Sequence, residues 1–346
     1  ASTSDFSPQA VSETVRAACS IARLTGDDEH HGLAPAERMA TVFPDLDLRH
    51  PWHIKPADAI ALALEAETSA RETHTLITNS DGATVGTHET VHAYANSHGF
   101  VGRKLGTRHS LSCTVIAENE SGMQRDYWYD TNRDATAMMD AAKLGQRAAE
   151  RAVSRLSPRR VDTGTFPVLF AAEVAGSLFG HFIGAIRGGS LYRKASFLLD
   201  KLGESVFPAG FRIYEQPHLL RGSSSSAFDN DGVATYNRDI VSDGVLQGYV
   251  LDAYGARRLG LESTANAGGV RNLSIGCGDK DLPALLREMD RGLLVTEMMG
   301  MGVSTITGDY SRGAAGHWVE NGELAFPVEE ITIASNLSDM FRNIAA

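Results

Sequence analysis

Apolar residues return every three to four positions along the opening stretch SPQAVSETVRAACSIARL. Val11, Val15, Ala18 and Ile21 share one face of a helix predicted over 7–24; Ser7 stands where a cap is needed and Pro8 suits the first turn. A loop rich in His, Asp and Gly follows, up to PDLDLRHPWHIKP. A second helix is predicted from about Pro56 to Ser69, with Ile60 and Leu64 on one face. From about 75 to 130 the period shortens to two. CTVIAE and DYWYD alternate, and NSDG (79–82), NSHG (96–99) and ENESG (118–122) read as turns between strands. A helix rich in Ala and Met, over about 135–156 and ending in SPRR, closes an α+β unit.

A second unit begins near Val161. FPVLFAA (166–172) reads as a short buried strand, and the apolar run that continues to Ile186 reads as a helix of small residues. IRGGSLYRK (186–194) is a Gly-rich basic turn, and GSSSS (222–226) a flexible loop. FDNDGV, VSDGV and VENGEL mark turns between short strands, and Asn321-Gly322 is a strong hairpin cue. Further helices are predicted near 251–259, 282–290 and 335–344.

Composition narrows the class. The chain has 346 residues, 42% hydrophobic and 22% charged, which is ordinary for a soluble globular protein with two or three domains. Lys and Arg total 32 against 43 Asp and Glu, a net charge of -11. That balance argues against direct nucleic-acid binding, which needs a basic face; SPRR is short and reads as a solvated helix end. Cys19, Cys113 and Cys277 are scattered and odd in number, so a reducing compartment is expected. The longest apolar run, 168–186, contains Glu173 and His181 and fits a buried helix better than a membrane span.

Four stretches carry candidate chemistry. HETVH (88–92) spells the H-E-x-x-H signature of zinc peptidases, whose two histidines meet one metal because a helix brings positions four apart together. Here Gly86, Thr84, Thr87, Thr90 and two valines disfavour a helix, and the alternation around Val91, Ala93 and Ala95 is that of a strand. On a strand His88 and His92 stand roughly 13 Å apart, with Glu89 on the opposite face. GHFIGA (180–185) places the single imidazole of His181 on the apolar helix, a position that a hydrogen-bonded core histidine fills equally well. IRGGSLYRK offers Arg187, Arg193 and Lys194 beside two glycines: either an anion site, for instance for a substrate carboxylate, or a helix cap followed by a basic turn. In 296–323, glycines at 300, 302, 308, 313 and 316 surround Asp309, Tyr310, Arg312 and His317. They mark either a cleft wall or a set of tight turns.

GGSLYRKASFLLDKLGE and TEMMGMGVSTITGDYSRGAAGHWVENGE resemble the TldD/PmbA family, once described as modulators of DNA gyrase. NSHG, TRHSLS, RLSPRR, LFGHFIGAI, PHLLRG and PVEEITIA carry the resemblance over nearly the whole chain. It implies an α+β fold of two domains, the C-terminal one β-rich with a buried helix. The expected bounds are 1–50 for a helix-plus-loop remnant of an N-terminal segment, 51–160 for the central domain and 161–346 for the C-terminal domain. Relatives are expected to extend beyond the points matching Ala1 and Ala346.

The resemblance also implies a function. TldD-type and TldE-type members pair into a cytoplasmic metallopeptidase that trims peptides and unfolded polypeptides. The TldD-type member carries H-E-x-x-x-H on the helix matching 172–185, completed by a cysteine near its C-terminus. In this chain those motif positions hold Gly180, His181 and Ala185, and the cysteine is absent. The chain is therefore expected to be the subunit without metal: no cofactor of its own, zinc in a TldD-like partner, and a homodimer possible when that partner is missing. Asp309, Tyr310, Arg312 and His317, then Arg193 and Lys194, are the candidate cleft or substrate contacts. Two rival classes stay open: a self-sufficient zinc hydrolase using His88 and His92, and a regulatory binding protein of the gyrase-modulator type.

Overall fold

A computed structural model of the chain describes residues 1–276 and 278–345. It divides into two compact units, Ala1–Leu33 and Ala34–Ala346. The first carries helix α1 (Pro8–Leu24), capped by Ser7, whose hydroxyl accepts from the Ala10 N–H. None of its residues is buried, so the stripe of Val11, Val15 and Ile21 is exposed.

In the second unit, α2 (Pro56–Thr73) and α3 (Ala141–Ser154) cover an antiparallel sheet of β1 (Ile77–Ala95), β2 (Val101–Asn119) and β3 (Gly122–Asn132), in that order. Alternate residues Leu111, Cys113, Val115 and Ala117 of β2 pack with Leu144, Ala148 and Ala152 of α3 and with Ala66 and Ala70 of α2. Burial pushes the Cys113 thiol up to about 11, so it sits in this core as a small apolar residue. The face of α2 bearing Ile60 and Leu64 points outward. Two expectations are corrected here. NSDG is a bulge inside β1, where the register shifts between Ser80 and Gly82, because paired backbone on β2 continues past it. The helix predicted from 135 starts at Ala141, since Asp140 caps it at the Lys143 N–H; residues 135–137 form a single 3₁₀ turn.

The remainder runs β4 (Val168–Phe170), α4 (Ala172–Ala185), α5 (Gly188–Tyr192), β5 (Ile213–Glu215), β6 (Arg238–Ser242), β7 (Val245–Leu246), α6 (Ala253–Leu259), β8 (Leu273–Ile275), α7 (Leu282–Met289), β9 (Gly292–Met299), β10 (Asp309–Glu320), β11 (Glu323–Asn336) and α8 (Leu337–Arg342). Among the described residues it forms two four-stranded sheets, ordered β11-β10-β9-β4 and β7-β6-β5-β8. Asn321 and Gly322 both take positive φ, 54° and 75°, and turn β10 into β11. Between the elements lies a core of Phe182, Ile186, Phe207, Phe211, Ile213, Ile240, Tyr310 and Phe341, with Phe207 and Phe211 stacked at 4.6 Å.

Four further local expectations change. β4 has three residues and is partly exposed rather than buried. IRGGSLYRK contains the short helix α5. GSSSS is held in place: Ser225 and Ser226 are buried and donate to the Leu219 and Phe228 carbonyls at 2.5 and 2.6 Å. SPRR is not a free helix end, because Arg159 bridges to Val328 and its guanidinium lies 4.9 Å from the Phe326 ring. Cys19 and Cys113 are free thiols, and Cys277 lies outside the described residues. Among the described residues no helix is long and apolar enough to cross a membrane.

α2 and α3 meet backbone to backbone at Gly145, where an added Cβ would stand 2.0 Å from the Ala66 carbonyl oxygen. Gly145→Ala is expected to destabilise the protein by about 1–3 kcal/mol, since forced separation of the helices outweighs the roughly 1 kcal/mol gain in helix propensity. Urea denaturation measures it, and an unchanged midpoint would refute the close approach.

Candidate functional site

Helix α4 has two faces with different fates. Leu178, Phe182, Ile183 and Ala185 are buried in the core. Gly176, Gly180 and Gly184 recur at four-residue spacing on another face, and an added Cβ at any of them meets nothing within 4 Å. The sequence reading of a buried helix holds for the first face, while the glycine face is open.

His181 follows Gly180 at the border between these faces. Its Nε2 is shielded from solvent and has no hydrogen-bond partner among the described residues. The ring lies edge-on to Tyr310, with centroids 6.0 Å apart at 80°. Tyr310 is 2% exposed, and its hydroxyl is also without a partner among the described residues. Arg312, two positions along β10, donates from Nε to the Gly300 carbonyl at 3.1 Å. Burial lowers the His181 pKa, and the Arg312 charge lowers it further, so the imidazole is held neutral. Burial raises the Tyr310 pKa; Arg312 opposes that shift, although its guanidinium makes no well-formed hydrogen bond to the hydroxyl. The structure thus brings together His181, Tyr310 and Arg312, which lie 131 positions apart at their extremes in the sequence. A neutral imidazole, a phenol and a guanidinium can hydrogen-bond a carbonyl or carboxylate.

They do not suit a metal. Gly180 and Ala185 offer no donor atom, and His181 is a single ligand beside a cation. Among the described residues no group of three or more His, Cys, Asp or Glu is placed to hold an ion. HETVH lies on β1, paired with β2 from His88↔Arg108 to His92↔Lys104. Its Glu89 is ion-paired with Arg49. His109 is buried elsewhere, accepting from Thr87 and donating to the His50 carbonyl, and His98 sits in the turn after β1.

The other candidates scatter. Asp309 accepts from the Thr307 hydroxyl at 2.6 Å and serves the local turn. His317 points away from His181's neighbourhood: its Nε2 donates to the Ser154 carbonyl at 3.1 Å, and its buried Nδ1 has no partner among the described residues. Burial lowers its pKa, partly offset by the Ser154 contact. Around it stands a network that the sequence reading missed. Asp126, 4% exposed, faces Arg151 at 3.3 Å and Arg155 at 3.5 Å; these reach Glu173 and Glu297 at 3.4 and 2.6 Å. The four-residue spacing of Arg151 and Arg155 was its only trace in the sequence. Arg193 is the C-cap of α5 and Lys194 follows it, and Arg193 lines a pocket of about 290 Å³ with Arg187.

Residues 49–156 match the profile of the PmbA/TldA metallopeptidase central domain, and residues 163–346 that of its C-terminal domain. The chain belongs to the PmbA/TldD metallopeptidase family. It is 51% identical to metalloprotease PmbA of Escherichia coli O157:H7, over 99% of this chain and 76% of that protein. It is 47% identical to the PmbA homologue of Haemophilus influenzae, over 100% of this chain and 77% of that protein. A crystal structure from Bacteroides thetaiotaomicron, described under the heading of a DNA gyrase modulator, superposes with a TM-score of 0.94 at 29% identity, covering 100% of this chain and 79% of that one. TldE from Thermococcus kodakarensis shares the fold, with a TM-score of 0.84 at 21% identity over 98% of this chain and 79% of its own. The two-domain α+β architecture with a β-rich C-terminal region is that of the PmbA/TldD family.

Two outcomes follow from the site. Gly180→Ala is expected to stabilise the chain by about 0.5–1 kcal/mol, because the helix gains propensity and the methyl meets no atom. Denaturant midpoints check it, and a loss of stability would mean the face is not open. For His317 the ordinary value is 6.5 and the folded value lower, so below about pH 6.5 the unfolded state binds more protons and stability falls with the pH. His317→Gln should flatten that fall between pH 7.5 and the acid side, read as the change in urea midpoint with pH; an unaltered slope would refute a neutral, buried His317.

Proposed function

We propose that the chain is the subunit of a TldD/TldE-type metallopeptidase that does not itself hold the metal. One observation carries this: α4 presents Gly180, His181 and Ala185 at the positions where the family resemblance places the H-E-x-x-x-H of metal-binding members. Two of those side chains have no donor atom, and the third is a neutral imidazole whose neighbour Arg312 would repel a cation. Zinc and the hydrolytic chemistry then belong to a TldD-like partner, and peptides or unfolded polypeptides are the substrates. This chain contributes partner contacts and the wall formed by the open glycine face with His181, Tyr310 and Arg312. The names of relatives as metalloprotease PmbA and as TldE support the reading. A cytoplasmic location accompanies it on the family resemblance, and the free thiols of Cys19 and Cys113 are in keeping with a reducing compartment.

The test is metal content and peptide cleavage of the purified chain, alone and then mixed with a metal-bearing family member. Alone, the chain is expected to carry substoichiometric zinc and to leave an unstructured peptide intact; the mixture cleaves it. Stoichiometric zinc lost on His88→Ala or His181→Ala, or cleavage by the chain alone, would overturn the proposal.

A further inference from the structure

The pocket beside α5 is lined by two arginines on an acidic chain. It measures about 290 Å³, and its lining includes Arg187, Gly189, Ser190, Arg193, Asp252 and Asn266. Most of these groups are already occupied. Ser190 donates to the Gly184 carbonyl at 2.9 Å. The Asn266 amide donates to Glu215 at 2.8 Å and accepts from Arg238 at 2.9 Å. One oxygen of Asp252 accepts from the Gly255 N–H at 2.6 Å, capping α6.

The two guanidiniums are different. Arg38, Arg49, Arg125, Arg212 and Arg221, all at least partly exposed, each pair with a carboxylate. Arg187 and Arg193 pair with none among the described residues, although the net charge is -11. Arg193 is held in place without a counter-ion: Nη1 donates to the Tyr192 hydroxyl at 3.1 Å, and its guanidinium lies 5.2 Å from the same ring. It also lies across Gly189, where an added Cβ would come within 3.2 Å of Nη2. Arg258 stands 5.2 Å from the Tyr192 ring as well and adds to the local positive potential.

We propose that the Arg187–Arg193 pocket binds the terminal carboxylate of a short peptide. Guanidinium forks match a carboxylate in shape and charge. Two guanidiniums against the single carboxylate of Asp252 leave the lining with a positive charge, which suits an anion. That the carboxylate belongs to a peptide rests on the peptidase-subunit reading above. The binding test uses this chain without a partner and without cleavage, so its failure leaves that reading standing.

The measurement is calorimetric titration of the full chain with N-acetyl-trialanine, with the same peptide as its C-terminal amide, and with inorganic phosphate. The free acid is expected to bind, and the amide to bind at least about tenfold more weakly, the loss of roughly one charge-assisted contact. Arg187→Gln with Arg193→Gln should weaken the acid by a similar factor while thermal melting is unchanged, and Arg193→Lys should recover part of the affinity. If the double variant fails to fold, each single variant and competition by acetate on the unaltered chain decide the matter. Equal binding of acid and amide, unchanged affinity in the variants, or binding of phosphate but not of the peptide would each overturn the proposal.

Discussion

Phe182 sets the rotation of α4, and the meeting of His181 with Tyr310 depends on that angle. The side chain is fully buried, edge-on to Phe207 at 5.0 Å and to Phe341 at 5.8 Å. Aromatic contacts of this kind are directional, and dense packing leaves little freedom to turn. With Phe182 pointing inward, the 100° step of a helix carries Gly180 and Gly184 outward and swings His181 toward β10. Tyr310, in the same core, meets the His181 ring at 6.0 Å. Packing thus fixes which side chains α4 turns inward and which it displays.

A second constraint ties the sheets together. Asp126 on β3 is nearly buried between Arg151 of α3 and Arg155 at its C-cap, and these reach Glu173 on α4 and Glu297 on β9. A buried carboxylate is tolerable only when its charge is answered, so the four elements are held in one arrangement. His317 completes the junction by donating to the Ser154 carbonyl at the end of α3. Burial is the main cause of its lowered pKa, and the nearby Arg155 and Arg151 charges lower it further against the Ser154 contact and Asp126. His317 therefore works as a strut between β10 and α3, while Tyr310 and Arg312 on the same strand face α4.

Much of this fold was legible from residue patterns. The two-residue period of 75–130 was enough to place HETVH on a strand, because β-branched residues and glycine weigh against a helix whatever the motif spells. Asn321-Gly322 announced its hairpin for the same local reason. What escaped depends on partners distant in sequence. NSDG reads as a turn, yet becomes a bulge because β2 continues to offer hydrogen bonds. GSSSS reads as mobile, yet Ser225 and Ser226 have buried carbonyls to bind. Among the candidate site residues, the dense glycines drew attention to Asp309–His317 as one group. A strand of that length spans about 3.3 Å per residue, so its two ends serve different neighbours.

The orphaned atoms around α4 give the remaining step. A buried polar atom with no partner costs about 1–3 kcal/mol, and each mid-helix glycine about 1 kcal/mol relative to alanine. His181 Nε2, Tyr310 Oη and the three open glycines concentrate such costs in and around one helix. Among the described residues no heavy atom lies within 4 Å of a Cβ built at these glycines, and neither orphan has a well-formed hydrogen bond. These costs fall on α4 and the facing end of β10, while the aromatic contacts of Phe182 on the opposite side of the helix hold it in place.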